Sequence, residues 1–385
     1  MKTAVTIEPS ATMMINGLAI QKRQAGERVY NLSAGEPMID TPEIIKQAAI
    51  KALSENQTHY PPAAGINELR QEASQWVNQT CGSDYQLDNT LVTAGGKFGL
   101  FLALQSLLQT GDEVLIVAPY WVSYPDMVKI FGGAPKILQT DRNTDWKVSI
   151  NSLEQSITEK TKILILNNGS NPTGVLYNRE EIKEILSFAV RKNLFVISDE
   201  VYSGLVYDDN EYVSCSSFLE YRDNLLIVQS CSKNFAMTGW RVGFVFGDKK
   251  LIQVLTGLTS QSTSGVATVS QWAAVAALQN FGAITTSIRE EMQKRRNVFL
   301  RAFTENFGVE LEKPKSGLYC FMPLTAFGTK ELNSVVFCKK ILEEANVAMV
   351  PGIAFGQEGF VRCSFGKKPE ELVLALKHLA GYLKK

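Results

Sequence analysis

Four short apolar stretches of this sequence run directly into polar residues that can do chemistry. Lys162–Asn167 leads into Asn168-Gly169-Ser170-Asn171-Pro172-Thr173-Gly174, Leu194–Ser198 into Asp199-Glu200-Val201-Tyr202, and Leu225–Gln229 into Ser230-Cys231-Ser232-Lys233. Thr90–Thr93 leads into Ala94-Gly95-Gly96-Lys97 and at once into a helical pattern. An amide, a carboxylate, a phenol, a lysine and a glycine-rich helix start thus follow strand-like segments. In an open α/β sheet, ligands bind outside the carboxyl ends of the strands, so all of these groups would face one crevice.

Taken singly, each group has a plainer explanation. Asn171-Pro172-Thr173-Gly174 is a good β-turn, Asp199 a helix N-cap, Lys233 a surface lysine and Gly95-Gly96 a tight turn. The glycines match neither the P-loop nor the dinucleotide fingerprint. It is their joint occurrence, in this order and at these strand ends, that favours a shared site. A lysine, an acid and a glycine-rich phosphate cradle suggest pyridoxal phosphate, whose binding logic is a lysine Schiff base with an acid or arginine at the pyridine nitrogen.

Histidine chemistry is constrained by number: the chain has only His59 and His378. That excludes a His-rich metal site, so no metal is expected, and a Ser-His-Asp triad would need one of the two. His59 lies in a Thr-His-Tyr-Pro-Pro loop and His378 in a charged helical pattern over 370–385, both reading as solvated. The proton carrier of an enzyme built on this chain is therefore expected to be another residue.

The elements that must position these groups are legible between about residues 90 and 250. Thr90–Thr93, Glu113–Ala118, Lys136–Thr140, Lys162–Asn167, Leu194–Ser198, Leu225–Gln229 and Arg241–Phe246 read as strands. Lys97–Gln109 and Arg179–Asn193 carry apolar residues at helical spacing. This alternation predicts an α/β fold, a mostly parallel seven-stranded sheet flanked by helices. Beyond residue 250, Thr263–Asn280 and Ala283–Phe307 read as long helices, followed by strands at Gly317–Pro323, Val347–Val350 and Gly359–Ser364 around a helix at Glu331–Glu344. These predict a smaller α+β domain. The first 45 or so residues show no strand alternation of their own and must pack on something else.

The 385 residues, at about 150 per domain, predict two or three domains. Basic and acidic residues balance at 39 each, so no bulk field draws nucleic acid or an anionic membrane. No run approaches the roughly 18 apolar residues of a membrane span, and no signal-peptide core can be drawn before Asn16. The six cysteines, without a C-x-x-C pair, suit a reducing compartment, so a cytoplasmic protein is expected and the glycosylation sequons at Asn31, Asn56, Asn78 and Asn168 are read as accidental.

The spacing Ser230-x-Ser232-Lys233 followed by Met237-Thr238-Gly239-Trp240-Arg241-Val242-Gly243 resembles the aspartate aminotransferase family, fold-type I enzymes dependent on pyridoxal phosphate. The likeness belongs to the branch with a Gly-Gly-Lys phosphate loop and spans nearly the whole chain. It includes Pro9-Ser10-Ala11-Thr12, Ser33-Ala34-Gly35-Glu36-Pro37, Tyr60-Pro61-Pro62-Ala63-Ala64-Gly65, Pro119-Tyr120-Trp121-Val122-Ser123-Tyr124-Pro125 and Phe360-Val361-Arg362.

The resemblance implies a role for each matching residue. Lys233 forms the Schiff base and then carries the substrate's proton, which requires a depressed pKa. Asp199 pairs with the pyridine nitrogen, Tyr202 and Asn171 bond the ring oxygen, and Trp121 stacks on the ring. Main-chain N–H groups of the Gly95-Gly96-Lys97 loop, with Ser230, Ser232 and Arg241, hold the phosphate. Tyr60 reaches it from a second subunit, implying a homodimer. Arg362 clamps the substrate's α-carboxylate with Gly35 and Asn171, while Lys97, near Thr12, takes the distal carboxylate of an acidic substrate.

Transamination between L-aspartate and 2-oxoglutarate, by ping-pong half-reactions, is the implied activity, with prephenate or an aromatic amino acid as the alternative substrate. A lyase or decarboxylase on the same cofactor, a catalytically silent binding module and a nicotinamide dehydrogenase fit less well. The implied division is a large domain over 46–285 and a small one from 1–45 and 286–385. One departure is the Asn168-Gly169-Ser170 run before Asn171, where many relatives have Ser-Pro-Asn.

Overall fold

The computed structural model describes the backbone of residues 11–384 and the side chains from Met14 onward. Pro9 and Ser10 of the first motif lie outside the described residues, as does the side chain of Thr12, which falls in the first turn of the helix Ala11–Gln24. In chain order the strands are β1 (Tyr30–Asn31), β2 (Thr90–Thr93), β3 (Glu113–Ala118), β4 (Ala134–Gln139), β5 (Thr161–Asn167), β6 (Phe195–Asp199), β7 (Leu225–Ser230), β8 (Gly243–Phe246), β9 (Tyr319–Pro323), β10 (Val347–Ala348), β11 (Val350–Pro351) and β12 (Phe360–Ser364).

Seven of them form one sheet in the order β2-β8-β7-β6-β5-β3-β4. Only β8 runs against its neighbours, and because it is antiparallel to both β2 and β7, those two point the same way. The carboxyl ends of β2, β3, β5, β6 and β7 therefore share one edge. The order reverses between β3 and β5: the chain leaves β3 toward β4 and leaves β5 toward β6, which opens a crevice at that edge.

Burial on both faces explains the near-continuous apolar runs of these strands. Along β5, Leu164 and Leu166 join the larger core with Ile182, Ile185 and Leu186 of the helix Arg179–Arg191. The alternate residues Ile163 and Ile165 face the other core with Leu100 and Leu104 of the helix Gly96–Leu107. The Arg179–Arg191 helix starts where Asn178 accepts the N–H of Glu181 and Glu181 reaches back, a capping box that satisfies two orphan donors.

A three-stranded antiparallel sheet, β11-β12-β9, stands apart from the large one, and β1 pairs in parallel with β10. The two-residue β1 corrects the expectation of a strand-free start, and the expected Val347–Val350 strand divides into β10 and β11, which belong to different sheets. The expected helix Thr263–Asn280 begins only at Thr268. Ser264 and Gly265, at φ of 59° and 124°, break it from a preceding helix, Lys249–Ser262, that the sequence reading missed. Arg241 belongs to a turn at φ of 57° and not to the following strand. Among the described residues, no helix is long and apolar enough to cross a membrane.

Candidate active site

The carboxyl edge of the large sheet opens into a cavity of about 290 Å³. Its lining includes Gly35, Gly96, Lys97, Trp121, Asn171, Asp199, Tyr202, Ser230, Ser232, Lys233, Arg241 and Arg362, so twelve residues singled out from the sequence meet in one place. Gly95 stands directly behind, as the N-cap of the helix that starts at Gly96. Its φ of 79° favours glycine, and a Cβ there would collide with the Arg241 guanidinium. Tyr60 lies elsewhere, 92% exposed in a separate concavity with Pro61, Ser264 and Gly265.

Asp199 is the last residue of β6 and not a helix cap. Strand alternation sends it into the cavity and turns Glu200 the other way, where that carboxyl accepts bonds from Ser198, Ser214 and the Cys215 N–H. Asp199 accepts 2.6 Å from the Tyr124 hydroxyl and 3.3 Å from the Val201 N–H. Burial pushes its carboxyl up to about 6, against those two bonds. No basic side chain bridges to Asp199 among the described residues, which leaves acceptor capacity facing the cavity.

Lys233 follows β7 in a short helical turn, Cys231–Asn234, whose cap is the Ser230 hydroxyl accepting the Ser232 N–H at 3.1 Å. Its amine donates to the Gly35 carbonyl. Burial lowers its pKa to about 8, with Glu36 opposing and Arg362 and Arg241 assisting. The depressed lysine expected from the sequence is therefore present.

Arg362 reaches the cavity from β12. Nη1 donates to Asn171 Oδ1 at 3.0 Å and Nη2 to the Ser33 carbonyl at 2.9 Å, while Nε is buried without a partner among the described residues. The guanidinium lies between the Tyr319 ring at 4.1 Å and the Phe355 ring at 4.9 Å, which fix its plane. Lys97 stands 4.8 Å from the Trp121 ring, and burial followed by the charge of Arg241 lowers its pKa. Four cations against one acid make this a site for anions, and Arg362 keeps N–H donors beyond those given to Asn171 and Ser33, as a carboxylate partner requires.

Residues 27–379 match the family model described as aminotransferase class I and II. The chain belongs to this family. The aminotransferase is 36% identical over 380 residues to the aspartate/prephenate aminotransferase of Thermus thermophilus, covering 98% of this chain and 97% of the relative. It is 38% identical over 385 residues to the aspartate aminotransferase of Streptomyces avermitilis, covering 98% and 94%. The solved aspartate aminotransferase of Thermus thermophilus with maleate superposes at a TM-score of 0.93 with 35% identity, over 99% of this chain and all of that one.

Three residues of the aminotransferase site carried no assigned role in the sequence reading. Tyr124 bonds Asp199, and it stands three residues after Trp121 in a quoted motif, about one helical turn away, which is a signal that could have found it. Asn167 donates to the Asp199 carbonyl at 2.8 Å and accepts the Asn171 N–H at 2.9 Å, so it ties two functional strand ends together. Tyr319 sits in a strand with nothing in its flanking sequence to mark it. The departing Asn168-Gly169-Ser170 run is anchored by the buried Asn168, which donates to the Val213 carbonyl and accepts the Tyr177 N–H.

Proposed function

We propose that this aminotransferase uses pyridoxal phosphate to exchange the amino group of L-aspartate with 2-oxoglutarate, giving oxaloacetate and L-glutamate by ping-pong half-reactions. The observation that carries the reading is the pairing, in one cavity, of a lysine amine with a depressed pKa and an arginine with an unpartnered buried Nε.

The residues present fit the cofactor. The helix start at Gly96, where a Cβ would meet Val201 at 3.1 Å, offers the N–H groups of Gly96 and Lys97 to a phosphate. Ser230, Ser232 and Arg241 line the same end, and Tyr60 of a second subunit would complete it in a homodimer. Asp199 would accept the ring N–H and keep that nitrogen protonated. Tyr202 would donate to the ring oxygen, as would the Asn171 amide, whose own oxygen already serves Arg362. Trp121 would cover the ring face. When bound, pyridoxal phosphate supplies a carbonyl that condenses with amines and a protonated ring that accepts the electron pair released at Cα.

The protein's own residues supply the rest. Arg362 binds the α-carboxylate, with Gly35 and Asn171 beside it, and so fixes the Cα–H toward Lys233. The Lys233 amine, its pKa lowered to about 8, removes that proton in its neutral form and returns it. Lys97 binds the distal carboxylate, with the Thr12 region nearby, which selects acidic substrates. The large domain would span 46–285, and residues 1–45 with 286–385 would form a smaller one that carries Arg362 and closes over the substrate, excluding water. A cytoplasmic location accompanies this reading.

The test is the visible absorbance of the cofactor-loaded protein before and after L-aspartate without any keto acid, with Lys233→Ala as control. Loss of the visible band with aspartate, but not with valine or phenylalanine, is expected. A band indifferent to aspartate but responsive to another amine would move the substrate, and no band after loading would overturn the enzymatic reading. Prephenate is a second acceptor, tested by return of the visible band when it is added to the aspartate-treated protein, because the Thermus thermophilus relative is named for both activities.

A further inference from the structure

Beside Tyr124 and Tyr202, the cavity is lined by a third phenol that the proposed chemistry leaves unused. Tyr319, at the start of β9, is 3% exposed, and its hydroxyl lies 3.1 Å from that of Tyr202. Its ring carries the Arg362 guanidinium. Its hydroxyl also abuts Gly35, where a Cβ would collide with it, and the Gly35 carbonyl is the acceptor for Lys233. One side chain thus touches the carboxylate clamp, the cofactor-facing phenol and the loop that holds the lysine.

We propose that Tyr319 is a positioning residue that donates its hydroxyl proton to Tyr202, turning the Tyr202 proton toward the ligand, while its ring fixes the plane of Arg362. The inference rests on the cofactor reading above, in which Tyr202 faces the ring oxygen.

A phenol has one proton to give and lone pairs to accept with. Among the described residues, each of these two hydroxyls has the other as its hydrogen-bond partner. If Tyr202 gave its proton to Tyr319, it could offer a ligand only lone pairs. If Tyr319 gives its proton, Tyr202 keeps its own for the cavity, and accepting a hydrogen bond makes it a stronger donor. The charged and titratable groups around the pair are Asp199 at the end of β6, Tyr124 beside it and Arg362 on β12, with Lys233 bonded to the Gly35 that Tyr319 touches. Burial, more than any of these, holds the Tyr202 phenol protonated at neutral pH. Gly35 fits the same account, since any side chain there would displace the Tyr319 hydroxyl.

The experiment is a pH titration of the visible absorbance of the pyridoxal-phosphate-loaded protein, for wild type, Tyr319→Phe, Tyr202→Phe and the double variant. A stronger donor at the ring oxygen favours the more negative form of the chromophore, so losing it moves the midpoint upward. Tyr202→Phe is expected to raise the midpoint by about one unit or more, and Tyr319→Phe by about half a unit to one unit. The double variant should match Tyr202→Phe alone, and the KM for aspartate of Tyr319→Phe should stay within about twofold because the ring under Arg362 remains. Tyr319→Leu, which removes that ring, should weaken maleate binding about tenfold. An unmoved midpoint in Tyr319→Phe alongside a moved one in Tyr202→Phe overturns the Tyr319 role alone, as does a shift of equal size in both backgrounds. Unchanged maleate binding in Tyr319→Leu overturns the role of the ring. An unmoved midpoint in Tyr202→Phe overturns the cofactor contact and the inference with it.

Discussion

Replacing Arg362 with lysine tests the carboxylate clamp by counting donors. The guanidinium has five N–H groups; one on Nη1 serves Asn171 and one on Nη2 serves the Ser33 carbonyl, leaving three, including the unpartnered Nε–H. A carboxylate needs two of them side by side. A lysine ammonium has three protons, and if two keep the same buried acceptors satisfied, one remains for the substrate. Arg362→Lys thus forfeits one charge-assisted bond, worth roughly 1.5–3 kcal/mol, or about 10- to 150-fold in affinity at about 1.4 kcal/mol per decade. The flat slot between Tyr319 and Phe355 suits a planar cation and gives an ammonium no orientation, so the loss should fall in the upper part of that range. The assay is the rate of the aspartate and alanine half-reactions, followed by cofactor absorbance, with the dissociation constant of maleate alongside. Because the α-carboxylate is common to both amino acids, both kcat/KM values should fall together, whereas Lys97→Ala should cost aspartate alone. A loss under about threefold for both amino acids in Arg362→Lys, or a loss confined to aspartate, would refute the assignment.

Further outcomes follow from the buried charges. Lys233 falls from 10.5 to about 8 in the folded protein, so its charge destabilises the cofactor-free fold fully below pH 8, by up to about 3 kcal/mol, and that cost fades as pH rises toward 10.5. Cofactor-free Lys233→Met should therefore melt a few degrees higher than wild type at pH 7, with the gap narrowing at high pH; thermal melts at several pH values would show a constant gap if the reasoning fails. Tyr124→Phe strips the 2.6 Å bond from Asp199, raises that carboxyl further and should weaken cofactor binding about tenfold, measured by absorbance titration; unchanged binding would separate Tyr124 from the site. Asp208 holds both terminal nitrogens of the fully buried Arg296 at 2.9 Å, so Asp208→Ala leaves a buried cation short of its carboxylate and should cost about 3–5 kcal/mol in denaturant unfolding. A cost under about 1 kcal/mol would show that Pro314 and Asn297 suffice as partners.

The sequence made the large-sheet half of the site legible because β2, β5, β6 and β7 end at one edge, so the residues that follow them converge whatever the loops do. Resemblance selects Asp199 over Glu200, and the two-residue period of a strand leads to the same choice. The other half was not legible from pattern. Arg362 meets Asn171 across 191 positions and Ser33 across 329, contacts set by how the three-stranded sheet docks. Arg362 entered through resemblance, and Tyr319, which resemblance did not single out, went unnoticed. The two-residue ladder of β1 with β10 is too short to show alternation. The break at Ser264-Gly265 rests on a positive φ at a serine, which its residue type does not announce.

Burial, applied to both members of the proposed catalytic pair, moves them toward each other: Asp199 up to about 6 and Lys233 down to about 8. Among the described residues neither is paired with an opposite charge; Asp199 leans on a phenol and an amide, and Lys233 on a carbonyl. Each is therefore held in a state that a ligand can improve, the acid by a protonated ring nitrogen and the amine by a carbonyl that removes its charge. Covering the site with better-paired groups would make a more stable protein and a poorer enzyme, since the same desolvation that costs stability makes the lysine easier to deprotonate. The stability gained in Lys233→Met and the activity lost with it should thus be two readings of one unpaired buried amine.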